Sequence, residues 1–461
     1  MNSPNNFRYR PYVAVSGNIG GKVPVVDDVL SSHEQQIYPT TSLDENNIEF
    51  EFQTDRNYYI DLRQTYLAIT LKLVKGRGYE DYQLKNAEHD TDTTLNSTIS
   101  SEADSTTSTE SEDNYPNDPD LFTHVNNIMH SIFSNVEVYI NNQQIYNSNG
   151  LYAHKAYISN NFKGAITEYK GVLHCEGYDF ESDPEEGQNA PLFPPFFQRR
   201  MKMLSRPNGF MLYGKLGVDF FTTSELLYPN MKVRIRLIRS RPNFYMISAN
   251  PNASLGIVDC SLYTRRVALK DEYHKKRMDM LAYAPVDYHY LETLAKTFII
   301  PASQNQFIHE NIFNNAPIRR IALAMNTNSA FTGSFTENPF WYQDFGLRHI
   351  RILRGGQSVV DYDTSDNCRL YVTTMKAMNF QDDIPSIPID NFKDHYVLVF
   401  DLTSMQDATE HCHYPELVGE PLRLELNFKE ALPNVTEVIV LGERMSTVAV
   451  DKFGVVGKNT T

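Results

Sequence analysis

The chain has 461 residues, long for one hydrophobic core and sufficient for two domains of roughly 200 residues each. Hydrophobic residues make up 41% and aromatics 12%, with 28 Tyr and 26 Phe against a single Trp, which supplies β-rich cores and excludes a disordered chain. A formal net charge of −15 and an isoelectric point near 5.3 exclude a surface built mainly to neutralise phosphates, and no stretch reaches the roughly 18 consecutive apolar residues of a membrane-spanning helix.

Residues 1–40 carry Pro4, Pro11, Pro24 and Pro39, the aromatic Phe7, Tyr9 and Tyr12, and the break GNIGGK at 17–22. This composition predicts an extended N-terminal arm whose three aromatics are candidate assembly contacts on a neighbouring subunit; the alternative is a frayed terminus. The opening MNSPNNFRYRPY lacks the apolar centre of a signal peptide. The expectation is a soluble chain made in the cytosol, with Cys175, Cys260, Cys368 and Cys412, each isolated in sequence, as free thiols.

A first domain is expected over 41–245. Its first strand is Asn47–Gln53, with Ile48, Phe50 and Phe52 alternating against Glu49 and Glu51. From Tyr66 to Val74, Leu67, Ile69, Leu71 and Leu73 alternate with Ala68, Thr70 and Lys72, and Gly76 and Gly78 end the run. No such strand offsets its own backbone entropy, so each requires a facing sheet. Between Glu80 and Asp120 the chain turns to Ser, Thr, Asp and Glu, with no Lys or Arg after Lys85. This reads as an acidic disordered insertion, whose exposed ends Glu80 and Asp120 either present a loop to an external partner or bound a solvated insert.

Alternation resumes with Ile132, Ser134, Val136, Val138 and Ile140, followed by the polar turn Asn141-Asn-Gln-Gln144. LYAHKAYISNNF, within 150–170, is a helix candidate; 177–198 reads as loop. The basic run from Arg199 to Arg206 lacks the interleaved aromatics that would stack bases, so a solvated or intersubunit face is expected for it. In MLYGKLGVDFFTTSELLYPNMKVRIRLIRS, residues 211–240, an apolar run ends at Val218-Asp219-Phe220 and a loop follows. After Pro229, Met231, Val233, Ile235 and Leu237 alternate with Lys232, Arg234 and Arg236. Asn243 to Ser254 reads as the interdomain connection.

The second domain, expected over 246–452, opens with a strand from Ile257 to Lys270 and a short helix from Lys270 to Ala282. Strands at Thr297–Ile300 and Ile318–Met325 and a turn at Thr332–Thr336 follow. From Phe345 to Leu353, Ile350 and Ile352 flank Arg351 before the turn Gly355-Gly-Gln-Ser358. Tyr396–Phe400 then ends in Asp401, and after Pro421 the residues Leu422, Leu424, Leu426 and Phe428 alternate with polar partners. Strands at Val435–Leu441 and Thr447–Val450 precede a polar tail at 453–461. Two landmarks therefore recur in order, a strand with a tight polar turn and an apolar-Asp-loop-Pro-strand unit. They stand 78 residues apart from Asn141 to Asp219 and 46 apart from Gly355 to Asp401. Conserved order with unequal loops is the mark of a duplicated β-domain.

Chemistry-bearing motifs are sparse. His411-Cys412-His413 puts two imidazoles on one face of a strand, as a metal would need. The cupin spacing fails, because Met405 stands where the glycine belongs, Glu416 falls one residue early and Arg423 replaces the closing glycine. His411 and His413 are thus weak metal candidates, and no cofactor is expected. GNIGGK is not a phosphate-binding loop, and His174-Cys175, on a strand, would point to opposite faces rather than form a dyad. Nothing here asks for an enzyme.

The run FTHVNNIMHSIFSNVEVYINNQQIYNSNGLYAHKAYISNNF, the unit KVRIRLIRSRPNF, the stretch AFTGSFTENPFWYQDFGLRHIRILRGGQSV and the closing YVLVFDLT and LRLELNFKEALPNVTEVIVLGE resemble a known family. They are similar to the hexon-like major capsid proteins of adomaviruses, adintoviruses and Maverick/Polinton-type DNA viruses, over roughly residues 45–452. The resemblance implies an all-β fold of two tandem eight-stranded jelly-roll sandwiches with long loops and a few short helices. It further implies homotrimers that tile an icosahedral shell around DNA and other capsid proteins such as penton as partners. A host receptor would be met through loops, without sequence-specific nucleic-acid binding or a membrane span. The place of action would be the virion, after synthesis in the host cytoplasm and assembly in the nucleus. The rivals are a minor or vertex capsid protein, a bicupin-like or glycan-processing enzyme built on two jelly rolls, and a binding protein.

Overall fold

The computed structural model describes residues 28–74, 122–162, 171–179, 195–248, 252–364, 367–378, 387–393, 395–406, 408 and 420–459. In the first half the strands are β1 (Val29–Ile37), β2 (Asn47–Gln53), β3 (Tyr58–Val74), β4 (Phe122–His124), β5 (Phe133–Ile140), β6 (Gln143–Asn147), β7 (Phe210–Lys215), β8 (Lys232–Arg239), β9 (Met246–Ser248) and β10 (Ser254–Leu269). The second half has β11 (Val286–Ile300), β12 (Gln306–His309), β13 (Arg320–Thr327), β14 (Leu347–Arg354), β15 (Gln357–Asp363), β16 (Val397–Asp401), β17 (Leu422–Phe428), β18 (Thr436–Val450) and β19 (Val456–Asn459).

Two antiparallel four-stranded sheets, ordered β1-β10-β3-β7 and β2-β8-β5-β6, face each other in the first half. The second half repeats both orders strand for strand, as β11-β18-β13-β16 and β12-β17-β14-β15, with β19 added beside β18. Each half is an eight-stranded jelly roll, and the fold is the expected double jelly roll.

Period-two alternation builds the cores. Val233, Ile235 and Leu237 of β8 are buried against Leu67, Ile69 and Leu71 of β3, and Leu424 and Leu426 of β17 against Ile321, Leu323 and Val440. The opposite face of β8 sets its basic side chains against neighbouring strands. Arg236 Nε lies 2.6 Å from Glu49 Oε1, Lys232 Nζ 2.8 Å from Glu51 Oε1, and the Arg234 guanidinium 4.4 Å from the Tyr139 ring centre.

Several expectations need correction. The boundary expected at 245–246 precedes β10, which pairs with β1 and β3 and closes the first sandwich. The helix Asp271–Tyr283 follows it, so the connection between sandwiches is this helix and not residues 243–254. Val29–Ile37 is an edge strand, so residues 29–37 of the expected arm belong to the first sheet. A helix at Pro195–Leu204 begins inside the expected loop, with proline at its first position, where a missing N–H costs nothing.

Two further misses share one cause. Most of β11 was not expected, and β18 is one strand where two were expected. Glu292 and Arg444 are direct cross-strand partners at inward positions, where a charge breaks the apolar pattern. Gly442 also stands inside β18. A Cβ there would lie 2.6 Å from the Phe313 ring, so the glycine serves close packing rather than a turn.

Candidate functional site: the seam between the sandwiches

We label the longer helices α1 (Tyr152–Asn161), α2 (Pro195–Leu204), α3 (Asp271–Tyr283) and α4 (Asn367–Ala377). Helix α1 is wedged between the sandwiches, and all its residues except Ser159 are buried. It is not apolar all round, so each polar side chain needs a partner. Tyr157 stacks on Phe340 of the second sandwich at 4.4 Å between ring centres, and its hydroxyl lies 3.5 Å from His395 Nδ1. His154 stacks on Phe331 at 5.0 Å and its Nδ1 lies 3.0 Å from the Tyr342 hydroxyl. Burial pushes His154 down to about 3, so the imidazole is neutral at pH 7.

Lys155 carries the first charged link. Its Nζ lies 2.7 Å from Asp219 Oδ2 and donates to the Tyr146 hydroxyl at 2.9 Å. The same carboxylate accepts from the backbone N–H of Thr293 in β11 at 2.8 Å, joining the sandwiches. Burial raises the Asp219 pKa, and Lys155 offsets part of that rise. The neighbouring Phe220 packs edge-on against Tyr290 at 5.3 Å.

Glu292 makes the second link. Burial would raise its pKa, but Lys458 and Arg444 outweigh that and hold it below the usual range. Arg444 Nη2 lies 2.7 Å and Lys458 Nζ 2.5 Å from its oxygens. Lys458 Nζ also donates to the Ile145 carbonyl at 3.1 Å, and Asn141 Nδ2 donates to the Gly454 carbonyl at 2.7 Å. The β18–β19 hairpin thereby clasps the β5–β6 end of the first sandwich. Between the two links lies a cleft of about 500 Å³, lined on one side by Ala156, Ile158 and Phe221 and on the other by Ala322, Val399 and Leu441. Of its charged residues, Lys155 is paired with Asp219 and Arg320 with Glu443, while Lys215 lies over the Tyr66 ring.

The sequence-based candidates fall elsewhere. His411 and His413 lie outside the described residues, as do Phe7, Tyr9 and Tyr12 of the arm and the loop ends Glu80 and Asp120. Among the described residues, no group of three or more His, Cys, Asp or Glu is placed to hold a metal ion. His174 and Cys175 sit on one helical turn, Val172–Cys175, not on a strand as expected. Of the basic run, Arg200 is buried and Arg199 Nη2 is 2.6 Å from Asp179 Oδ2, so it is not a uniformly solvated face. The seam residues Lys155, Glu292, Arg444 and Lys458 were missed. A charge inside an otherwise helical or strand pattern was their only sequence signal.

No protein-family model matches the chain. An uncharacterised protein of Caenorhabditis elegans, F54H12.2, is 20% identical over 328 residues, covering 68% of this chain and 76% of its own length. Among solved structures, the cryo-EM structure of the Sputnik virophage superposes with a TM-score of 0.61 at 10% identity, over 98% of this chain and 92% of that one. The mavirus major capsid protein gives 0.51 at 9% identity, over 100% and 95%. The PBCV-1 capsid model gives 0.51 at 10% identity, over 96% and 100%. The fold is thus the double jelly roll of these viral major capsid proteins.

Proposed function

We propose that this chain is the major capsid protein of a DNA virus or virus-like element, a structural protein that acts by self-assembly and not by catalysis. The observation that carries the reading is the double jelly roll itself, superposable over 98% of the chain on the Sputnik structure. The seam fits this role. It is an ion-paired joint between the two sandwiches, in which Lys155, Asp219, Glu292, Arg444 and Lys458 are bonded to one another.

In the finer reading, three copies form a pseudo-hexagonal block that tiles an icosahedral shell in the virion, assembled in the nucleus after synthesis in the host cytoplasm. Other capsid proteins such as penton fill the vertices, loops meet the host, and the virus group is that of adomaviruses, adintoviruses and Maverick/Polinton-type elements. Light scattering on purified protein at micromolar concentration tests it. Three chains of 53.0 kDa give about 159 kDa, and negative-stain images should show hexagonal blocks or shells. A strict monomer of 53.0 kDa would overturn the reading. The relative in Caenorhabditis elegans favours one variant of it, a capsid-type protein encoded in an animal genome.

A further inference from the structure

Strand β3 leaves its ladder at one place. Against β10 its register runs as far as Tyr66 opposite Tyr263 and resumes at Asp61 opposite Arg265, so Leu62 to Thr65 all stand against Thr264. The equivalent strand of the second sandwich, β13, pairs with β18 from Arg320 to Thr327 without a shift. A bulge bends its strand and re-aims the side chains on it. Here it delivers Leu62, Arg63 and Thr65 to the cleft between the sandwiches.

Two polar groups of the lining lack the partner that their chemistry calls for. Thr65 is 2% exposed, and among the described residues nothing hydrogen-bonds its Oγ1, although buried hydroxyls are as a rule bonded. Lys215 is the register partner of Tyr66, the residue next to Thr65, and its Nζ lies 5.3 Å from the centre of the Tyr66 ring. No carboxylate among the described residues pairs with it. The other cations of the lining are matched, Arg63 by Asp61 at 3.0 Å, Lys155 by Asp219 at 2.7 Å and Arg320 by Glu443. The cleft therefore holds a positive charge in excess, in a chain whose net charge is −15.

The walls are mainly aliphatic, with Leu62, Ile158 and Leu216 from the first sandwich and Ala322, Val399 and Leu441 from the second. A volume of about 500 Å³ falls within the range of about 300–1,000 Å³ that small-molecule sites occupy. Apolar walls with one spare cation and one spare hydroxyl at adjoining positions suit a long apolar body carrying a small anionic head. A nucleotide or a sugar would bury many polar groups of its own against walls that offer them nothing. A plain alkane would leave Thr65 and Lys215 as they are.

We infer that the cleft between the sandwiches is a binding site for a single-chain fatty acid. The alkyl chain lies between the two aliphatic walls, and the carboxylate accepts from the Thr65 hydroxyl and pairs with the Lys215 ammonium. A chain buried there touches both sandwiches at once, so the ligand adds apolar contact to the joint that Lys155 and Asp219 make beside it. The site does not depend on the assembly reading above, and its failure would leave that reading untouched.

Isothermal titration calorimetry on the full chain tests it, with sodium dodecanoate below its micelle concentration as the probe. Dodecyltrimethylammonium, a chain of the same length with the opposite charge, is the control. The parent should take up one dodecanoate per chain, at least tenfold more tightly than the cation. Lys215 is exposed, so Lys215→Glu should melt as the parent does without ligand and bind dodecanoate at least tenfold more weakly. Ala322→Phe should fill the cleft and abolish binding of both probes; if it does not fold, Lys215→Glu alone decides. No uptake of dodecanoate by the parent, equal affinity for the two heads, or parental affinity in either folded variant would overturn the assignment.

Discussion

Asp219 and Asp401 look alike in sequence, each ending an apolar run ahead of a loop, a proline and an alternating strand. Their structural roles differ. Asp401 works within its own sandwich: Oδ1 accepts from the Thr403 N–H at 2.8 Å and Oδ2 from the Ala408 N–H at 2.9 Å, pinning the loop after β16. Asp219 works between sandwiches, buried beside Lys155 and bonded to Thr293. A duplicated framework has kept its strands and sheet orders while its connections took on different duties.

The sharpest way to break this comparison is to remove each carboxylate. Asp219→Ala leaves the Lys155 ammonium buried without its counter-ion and should cost about 3–5 kcal/mol in chemical denaturation. A loss below about 1 kcal/mol would mean the pair is not closed in solution.

Acidification addresses the same seam through His154. Its folded pKa of about 3 lies below the ordinary 6.5, so as pH falls the unfolded chain takes up the proton first. The stability its neutral form contributes is full above about pH 6.5 and declines toward pH 3. In His154→Phe, the slope of stability against pH in that window should shrink by up to about 1.4 kcal/mol per pH unit. An unchanged slope would contradict the burial of this ring.

Asp401→Ala removes local hydrogen bonds only and should cost about 1–2 kcal/mol, with the loop after β16 more open to protease. Lys232→Ala breaks an exposed pair with Glu51 and should fall below about 1 kcal/mol in the same denaturation series. Were Asp401→Ala to cost as much as Asp219→Ala, the difference between the two aspartates would disappear.

The sandwiches were legible because their strands bury one face and solvate the other, as in β8 and β17, and because turns such as Asn141-Asn142 and Gly355-Gly356 need left-handed backbone. The seam was much less so. It hides its charges at inward positions, so Glu292 and Arg444 cancelled the period of two in the strands that hold them. Helix α1 was found as a helix from its composition, but its part in the joint depends on Phe340, Tyr342 and Thr293, more than 130 residues away in sequence. The end of the first sandwich was misplaced for a related reason: β10 is a long partner of β1 and β3, and such a pairing leaves no local mark.

The most direct test of the account is a cryo-EM reconstruction of the purified, assembled protein. It should show three copies around one axis, with six sandwiches in a ring. A monomer, or an assembly built from any other number of copies, would contradict it.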